Sequence, residues 1–308
     1  MPRVSVVLPV YNAENTLRAA LESVLSQTYK DFEVVVCDDG SKDRSREIAA
    51  EALSVLEGDR WQMRVGERLG PGGARNAGIR AARGEFIAFL DDDDIWMGEK
   101  LAHCVRDLDR GPFDLVCHSE VWQDERGRRR VRRYRDLFDE SREPVVSLLR
   151  NNPFSTSAVV VRRDRLLEAG LFDSSLPSAE DYDLWIRLVL LPDFRIGFID
   201  EPLGTYSVRE GSESSAIDRR VRALLEIGRR HRPALLAASN RGRLEYWIYL
   251  ARIHFTTGLR YFRQRQRILG IRMLLKGFLM WPFRLDWLVL ALKERMRPAC
   301  MPPGPVKR

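Results

Sequence analysis

An α/β fold on a mostly parallel sheet is the architecture this sequence predicts. Three features predict it: short β-branched runs alternate with helical patterns through the first third, polar clusters sit where those runs stop, and the last third is helical and basic. The elements come in order. "RVSVVLPVY" (3–11) reads as a strand, because β-branched side chains suit a pleated, buried surface. "AENTLRAALESVLSQ" (13–27) repeats its apolar residues at helical spacing, then "FEVVVCDD" (32–39) returns to strand. The alternation continues with a helix at "SKDRSREIAAEAL" (41–53), a strand at "WQMRVGE" (61–67), a helix at "GGARNAGIRAA" (72–82) and a strand at "GEFIAFL" (84–90).

Beyond "DLVCHSEVW" (114–122), the stretch "QDERGRRRVRRYRD" (123–136) has an Asp-Glu-Arg-Gly tip and reads as an exposed hairpin whose seven arginines form a solvated face, the other reading being a binding site. From about 143 to 210 the pattern is mixed, with a helix near 181–191 and a strand at "FRIGFID" (194–200). After 215 it is helical. The expected division is a catalytic domain over 1–214 and a basic helical region over 215–308.

Charge supports that division. Residues 1–214 carry 30 Lys and Arg against 39 Asp and Glu, a net −9, whereas 215–308 carry 21 against 5, a net +16, which together give the +7 of the whole chain. A basic block of this kind meets nucleic acid, an anionic membrane or an acidic substrate. Nucleic acid is the poorest fit, because Trp281 and Phe283 sit in apolar runs instead of alternating with basic residues on a sheet. The stretch "LLKGFLMWPFRLDWLVLAL" resembles a membrane span until Lys276, Arg284 and Asp286 are counted: they limit the uninterrupted apolar runs to seven and six residues, far short of the roughly 20 a span requires. Trp281 and Trp287 beside arginines instead suit helices lying at an anionic lipid surface, the other reading being a subdomain packed on the core. Cys37, Cys104, Cys117 and Cys300 form no CxxC pair and the four histidines show no ligand spacing, which argues against a disulfide framework or structural zinc and fits a reducing cytoplasm. The amino-terminal apolar run is short and holds Pro9, unlike a signal peptide.

In a sheet of this class ligands bind beyond the carboxyl ends of the strands. Three signatures fall there: "PVYN" (9–12), "DDGS" (38–41) and "FLDDDDIW" (89–96). Four consecutive carboxylates repel one another and ask for a cation. If the chain stays extended, Asp91 and Asp93 share one face and Asp92 and Asp94 the other. Oxygen donors in small number suit Mg²⁺ or Mn²⁺ held jointly with a substrate phosphate. An EF-hand is excluded, since Ile95 and Trp96 occupy the positions of an oxygen ligand and the required glycine. "GPGGARNAG" (70–78) has no Walker Lys or Ser/Thr, and Arg75 breaks the GxGxxG pattern, so a nucleotide is bound by other means. An Asp of "DDGS" at a strand end can accept the imide N–H of uracil or thymine while Tyr11 covers the base.

These residues together resemble the family 2 glycosyltransferases of GT-A fold: "VSVVLPVYNAENTLRAALESVLSQTYKDFEVVVCDDGSKDRS", "GGARNAGIRAARGEFIAFLDDDDIW" and "AEDYDLWIRL" follow in the family's order over about 3–210. The resemblance implies a Rossmann-like sheet flanked by helices, to which the helical pattern beyond 215 adds a C-terminal extension. It also implies a nucleotide-sugar donor, commonly a UDP-sugar, a Mn²⁺ or Mg²⁺ ion, and inverting hexosyl or related transfer to a saccharide or lipid-linked acceptor in polysaccharide or glycoconjugate synthesis. By position in the motifs, Pro9, Tyr11 and Asp39 would contact the base, Arg75 would lie near the nucleotide, and Asp91 and Asp92 would flank the ribose and metal. Asp93, with Asp91, would ligate the metal, and Asp181 would be the base that takes the acceptor's proton. As a plain reading of residues, Asp181 is also a first-turn acid in a helix with Ser178 as N-cap. Glu180, Ser155 and Thr156 are candidates for the acceptor side. The sequence departs from the family where a His often follows a Tyr-Arg pair, for "YSVREGSESS" has Ser207 and Arg209 there; Arg209 is either a bidentate donor to the diphosphate or a surface arginine. Two other readings compete: nucleotidyl transfer, which also uses paired aspartates and a metal, and a non-catalytic carbohydrate-binding relative.

Overall fold

The computed structural model describes residues 1–152, 154–208 and 217–280, which form two compact units. In the first, β1 (Val4–Val10) is hydrogen-bonded in parallel to β2 (Phe32–Asp38) and, after α1 (Leu17–Leu25), α2 (Ser45–Leu53), β3 (Trp61–Val65) and α3 (Gly70–Ala81), to β4 (Phe86–Phe89). β3 extends the parallel set beyond β2. Every residue of β1 and β2 is buried, as expected of strands covered on both faces.

One face, with Val4, Val6, Leu8 and Val10, packs against apolar residues of α1, α2 and α4 (Lys100–Arg110), which follows the short β5 (Ile95–Trp96). On the other face Gly78 of α3 lies so close to Val7 and Cys37 that a methyl group would sit 2.5 Å and 2.7 Å from their side chains.

Past β4 the sheet turns mixed. In chain order follow β6 (Leu115–Asp124), β7 (Arg129–Arg132), α5 (Pro144–Arg150), β8 (Val159–Arg162), α6 (Arg163–Glu168), α7 (Glu180–Val189) and β9 (Ile196–Val208). The sheet order among the described residues is β3-β2-β1-β4-β8-β6-β9-β5, with β7 on β6. β8 is antiparallel to both β4 and β6, whereas β6 and β9 run parallel, with register shifts around Ser119. The predicted hairpin is present: β6 and β7 pair antiparallel and the turn closes through Gly127, in the left-handed region at φ 73°, whose N–H donates to Asp124 O at 2.8 Å. The parallel register of β1, β2 and β4 brings their carboxyl ends to one edge of the sheet, where Tyr11, Asp39 and the four aspartates leave it.

The second unit gathers α5 with α8 (Ile217–Ala238), α9 (Gly242–Arg263) and α10 (Arg267–Met280). Arg150 reaches both oxygens of the buried Glu245 at 2.7 Å, a bidentate pair that ties α5 to α9. α9 and α10 approach closely because Gly258 and Gly270 lie at their crossing; a methyl group on Gly258 would meet Leu274 at 2.9 Å. Among the described residues no helix is long and apolar enough to cross a membrane. Trp281, Phe283, Arg284, Asp286 and Trp287 lie outside the described residues, as does Arg209.

Candidate active site

The aspartates do not continue as a strand. Asp94 N–H donates back to Asp91 O at 3.1 Å, closing a turn through Asp92 and Asp93. The expected alternation of Asp91 and Asp93 against Asp92 and Asp94 rested on an extended chain and is therefore corrected. Asp94 alone turns inward and is 2% exposed, while Asp91, Asp92 and Asp93 stay partly exposed. Burying a carboxylate is costly unless it is hydrogen-bonded. Ser157 Oγ donates to Asp94 Oδ2 at 2.6 Å and Ser207 N–H donates to Oδ1 at 3.0 Å. The same two serines hold the turn's backbone, Ser157 Oγ accepting Asp91 N–H at 3.1 Å and Ser207 Oγ donating to Asp93 O at 2.6 Å. Asp94 is thus a latch joining the turn to two other segments. Burial, and then Glu120, Asp91 and Asp93, push its carboxyl well above the usual range.

Arg75 brings the turn to α7. The guanidinium is 6% exposed and donates to Asp91 Oδ1 at 2.6 Å and to Glu180 Oε1 at 2.9 Å. Burial works against its charge, but Asp91 and Glu180, helped by Asp181, outweigh it and hold the group more firmly protonated than usual. Gly72 permits this approach of α3 and α7, because a methyl group there would lie 2.8 Å from Glu180 Cγ and 3.3 Å from Phe172 Cβ.

Asp181, partly exposed in the first turn of α7, accepts from Thr156 Oγ1 at 3.4 Å through Oδ2. Ser155, one residue earlier, donates at 3.2 Å to Glu120, which also accepts from Tyr134. Ser155, Thr156 and Ser157 therefore reach Glu120, Asp181 and Asp94 in turn.

On the other side of the turn Tyr11 is 42% exposed; its N–H donates to Asp92 Oδ2 at 3.2 Å, and the Arg68 guanidinium lies 5.5 Å from its ring centre. Asp39 is held by the start of α3, accepting Leu69 N–H at 2.6 Å and Gly70 N–H at 2.8 Å on separate oxygens, each of which keeps a second acceptor lone pair. Pro9 is buried within β1 opposite Cys37. Sequence reasoning missed Ser157, Arg68 and Glu120. It met Asp94 as one of four like acids and Ser207 as a departure from the family, and could not name the partners of either.

Among the described residues no three His, Cys, Asp or Glu side chains converge as a metal-binding group. One Asp91 oxygen is held by Arg75. The donor set that remains, partly exposed carboxylates on a turn, fits a hard cation that takes most of its ligands from substrate phosphate and water, and does not fit an all-protein cage.

The sequence profile of glycosyl transferase family 2 matches residues 5–171, more than half of the 308-residue chain. The chain belongs to this family. An uncharacterized glycosyltransferase of Rickettsia felis is 32% identical over 204 residues, covering 61% of this chain but 31% of that protein, so the chain spans about a third of that relative's length. The Escherichia coli protein WfgD, named as a UDP-Glc:alpha-D-GlcNAc-diphosphoundecaprenol beta-1,3-glucosyltransferase, is 46% identical over 101 residues, 32% of this chain and 38% of its own. Among solved structures, S. aureus TarS 1-349 in complex with UDP-GlcNAc superposes with a TM-score of 0.66 at 22% identity over 96% of this chain and 88% of its own. The mannosyltransferase PcManGT of Pyrobaculum calidifontis, in complex with GDP-Man and Mn2+, gives 0.63 at 18% identity over 96% and 87%. At these identities the likeness is one of fold, and the fold is that of the GT-A glycosyltransferases.

Proposed function

We propose that this member of glycosyl transferase family 2 moves a sugar from a nucleotide donor, a UDP-sugar, onto a saccharide or lipid-linked acceptor with inversion. The observation that carries the reading is the Arg75 bracket, a buried guanidinium that joins Asp91 of the aspartate turn to Glu180 of α7, next to Asp181. Inversion is a single displacement, so one carboxylate must take the acceptor hydroxyl's proton on the face opposite the departing diphosphate. Asp181 has that role, with Thr156 orienting its carboxylate. Tyr11, Arg68 and Asp39 receive the nucleotide at the ends of β1 and β2, with Asp92 beside them. Asp93 and Asp91 would hold Mn²⁺ or Mg²⁺ with the donor's phosphates; the ion, when bound, stabilises the leaving group's charge. Asp94 fixes the turn from beneath and makes no ligand contact of its own.

The test is calorimetric titration of UDP with and without Mn²⁺, alongside hydrolysis of a panel of nucleotide sugars. Asp93→Ala should abolish the Mn²⁺-dependent part of UDP binding and leave the unfolding midpoint near that of the wild type, because the side chain sits on a partly exposed turn. Unchanged Mn²⁺-dependent affinity removes Asp93 from the site, and hydrolysis of no sugar nucleotide removes the activity.

A cytoplasmic protein lying peripherally on an anionic membrane is the accompanying reading. α10 exposes Ile268, Ile271, Leu275 and Leu279, at 78%, 51%, 57% and 82%, beside Arg272 and Lys276. An apolar row with flanking cations suits the headgroup region. Because α10 packs on α9, surface substitution is a cleaner test than truncation. Ile271→Ser/Leu275→Ser/Leu279→Ser should weaken sedimentation with phosphatidylglycerol vesicles while UDP affinity holds. Equal sedimentation of the wild type with neutral and anionic vesicles at low salt would rule out the electrostatic part.

A further inference from the structure

The chemistry described so far leaves aside one face of the β7-β6-β9 ribbon. Glu120 stands opposite Arg132 on β7 and Gly204 on β9, and Trp122 opposite Arg130 and Tyr206. Directly opposed residues, and residues two apart on a strand, share a face, so Arg130, Arg132, Glu120, Trp122 and Tyr206 form one surface. On it the Trp122 and Tyr206 rings stack at 4.8 Å, and the guanidinium carbons of Arg132 and Arg130 lie 4.5 Å and 5.3 Å from the Trp122 ring centre. Arg132 is partly buried, its Nε–H has no hydrogen-bond partner, and among the described residues no carboxylate lies within ion-pair distance of it. The facing Glu120 spends its oxygens elsewhere, accepting from Tyr134 through Oε2 and from Ser155 through Oε1, and burial pushes its carboxyl up while those donors and Arg132 hold it down. The Nε–H is sealed from solvent, but the two Nη groups make no hydrogen bond among the described residues and are not sealed, and a guanidinium held flat by an aromatic ring with free Nη donors is prepared for a phosphate oxygen.

Position says which phosphate. The nucleotide end of the site lies at β1 and β2, whereas β6 and β9 stand beyond β4 and β8 in the sheet order. Yet the face is joined to the reacting groups. Tyr206 precedes Ser207, which holds the aspartate turn, and Asp94, Asp91 and Asp93, after burial, push its phenol up. Glu120 binds Ser155, next to the Thr156 that contacts Asp181.

We propose that this face, with Arg132 at its centre and Arg130 beside it, binds the diphosphate of a diphosphate-linked sugar acceptor and so delivers the sugar hydroxyl toward Asp181. The proposal rests on the glycosyl-transfer reading above and names its acceptor class. It makes the protein selective for acceptors carried on a diphosphate over neutral glycosides. Trp122 and Tyr206 act by holding the guanidinium flat.

Two probes test it on the full chain: N-acetylglucosaminyl diphosphate bearing a short alkyl group, and the neutral alkyl N-acetylglucosaminide. With UDP and Mn²⁺ saturating, wild type should bind the diphosphate probe by calorimetry at least about tenfold more tightly than the neutral one, the effect of one charge-assisted hydrogen bond. Arg132→Gln should erase that preference, Arg132→Lys should restore part of it, and UDP affinity should stay within about twofold, because the donor is held elsewhere. Equal wild-type affinity for the two probes overturns the proposal without requiring any variant to fold. So does an Arg132→Gln protein that keeps the preference, or one that loses UDP instead, which would place Arg132 on the donor. Because binding is read directly, a chain that hydrolyses no nucleotide sugar but prefers the diphosphate probe would refute the activity and retain the site.

Discussion

Asp181→Asn is expected to lower turnover by about 10² to 10⁴, the range for a lost general base, while UDP affinity stays within about twofold. The amide keeps the shape of the carboxylate and can still accept from Thr156, so the change removes basicity and little else. Asp181 is partly exposed at the start of α7, and among the described residues no basic side chain forms an ion pair with it that substitution would break. The measurement is steady-state turnover with the best donor of the panel, beside calorimetric UDP binding. Turnover within about threefold of wild type would leave Asp181 as a first-turn acid of a helix, a role that also suits its place.

Arg75→Met is expected to be the most damaging single change to stability. Arg75 is buried between Asp91 and Glu180, at 2.6 Å and 2.9 Å, and removing one member of a buried ion-pair network costs about 3–5 kcal/mol because the charges left behind lose their partner. The sign of its pH dependence follows. Without Arg75 two like charges are left beside each other with no cation between them, and acid relieves that repulsion, so the variant's deficit shrinks as pH falls and grows as pH rises. Urea midpoints across acidic to neutral pH read both effects. A loss below about 1 kcal/mol, or one that does not shrink on acidification, would contradict the account. Adding Glu180→Gln should recover part of the loss, since the partners are coupled and their effects do not add.

The parts of the site that were legible in the sequence are those where chemistry shows in residue type over short spacing. Four adjacent aspartates, an Asp pair at the end of β2 and an acidic pair opening a helix all announce charge at element ends, where charge is expected only for a reason. The latch was not legible. Asp94 reads like its three neighbours until the turn is seen, and Ser157 and Ser207, 63 and 113 residues away, look like ordinary hydroxyls until each is found within 3.0 Å of its carboxylate. The arginine-rich hairpin could not be divided between its two readings from sequence. Arg128 and Arg135 do pair with surface acids, but Arg130 and Arg132 alternate onto the Trp122 face.

By itself the sequence determined the α/β alternation, the family, the strand ends at which a ligand site would form and the change to a basic helical region, because each is written in local period, composition or short motifs. Tertiary structure alone decided that the aspartates turn, that Asp94 is buried while Asp93 is not, that Arg75 joins the turn to α7, and that a tryptophan and two arginines share a face with Glu120. Those facts depend on which distant segments the sheet register brings together. A carboxylate's exposure and partners, and with them its charge, are set by neighbours that can lie a hundred residues away in the chain.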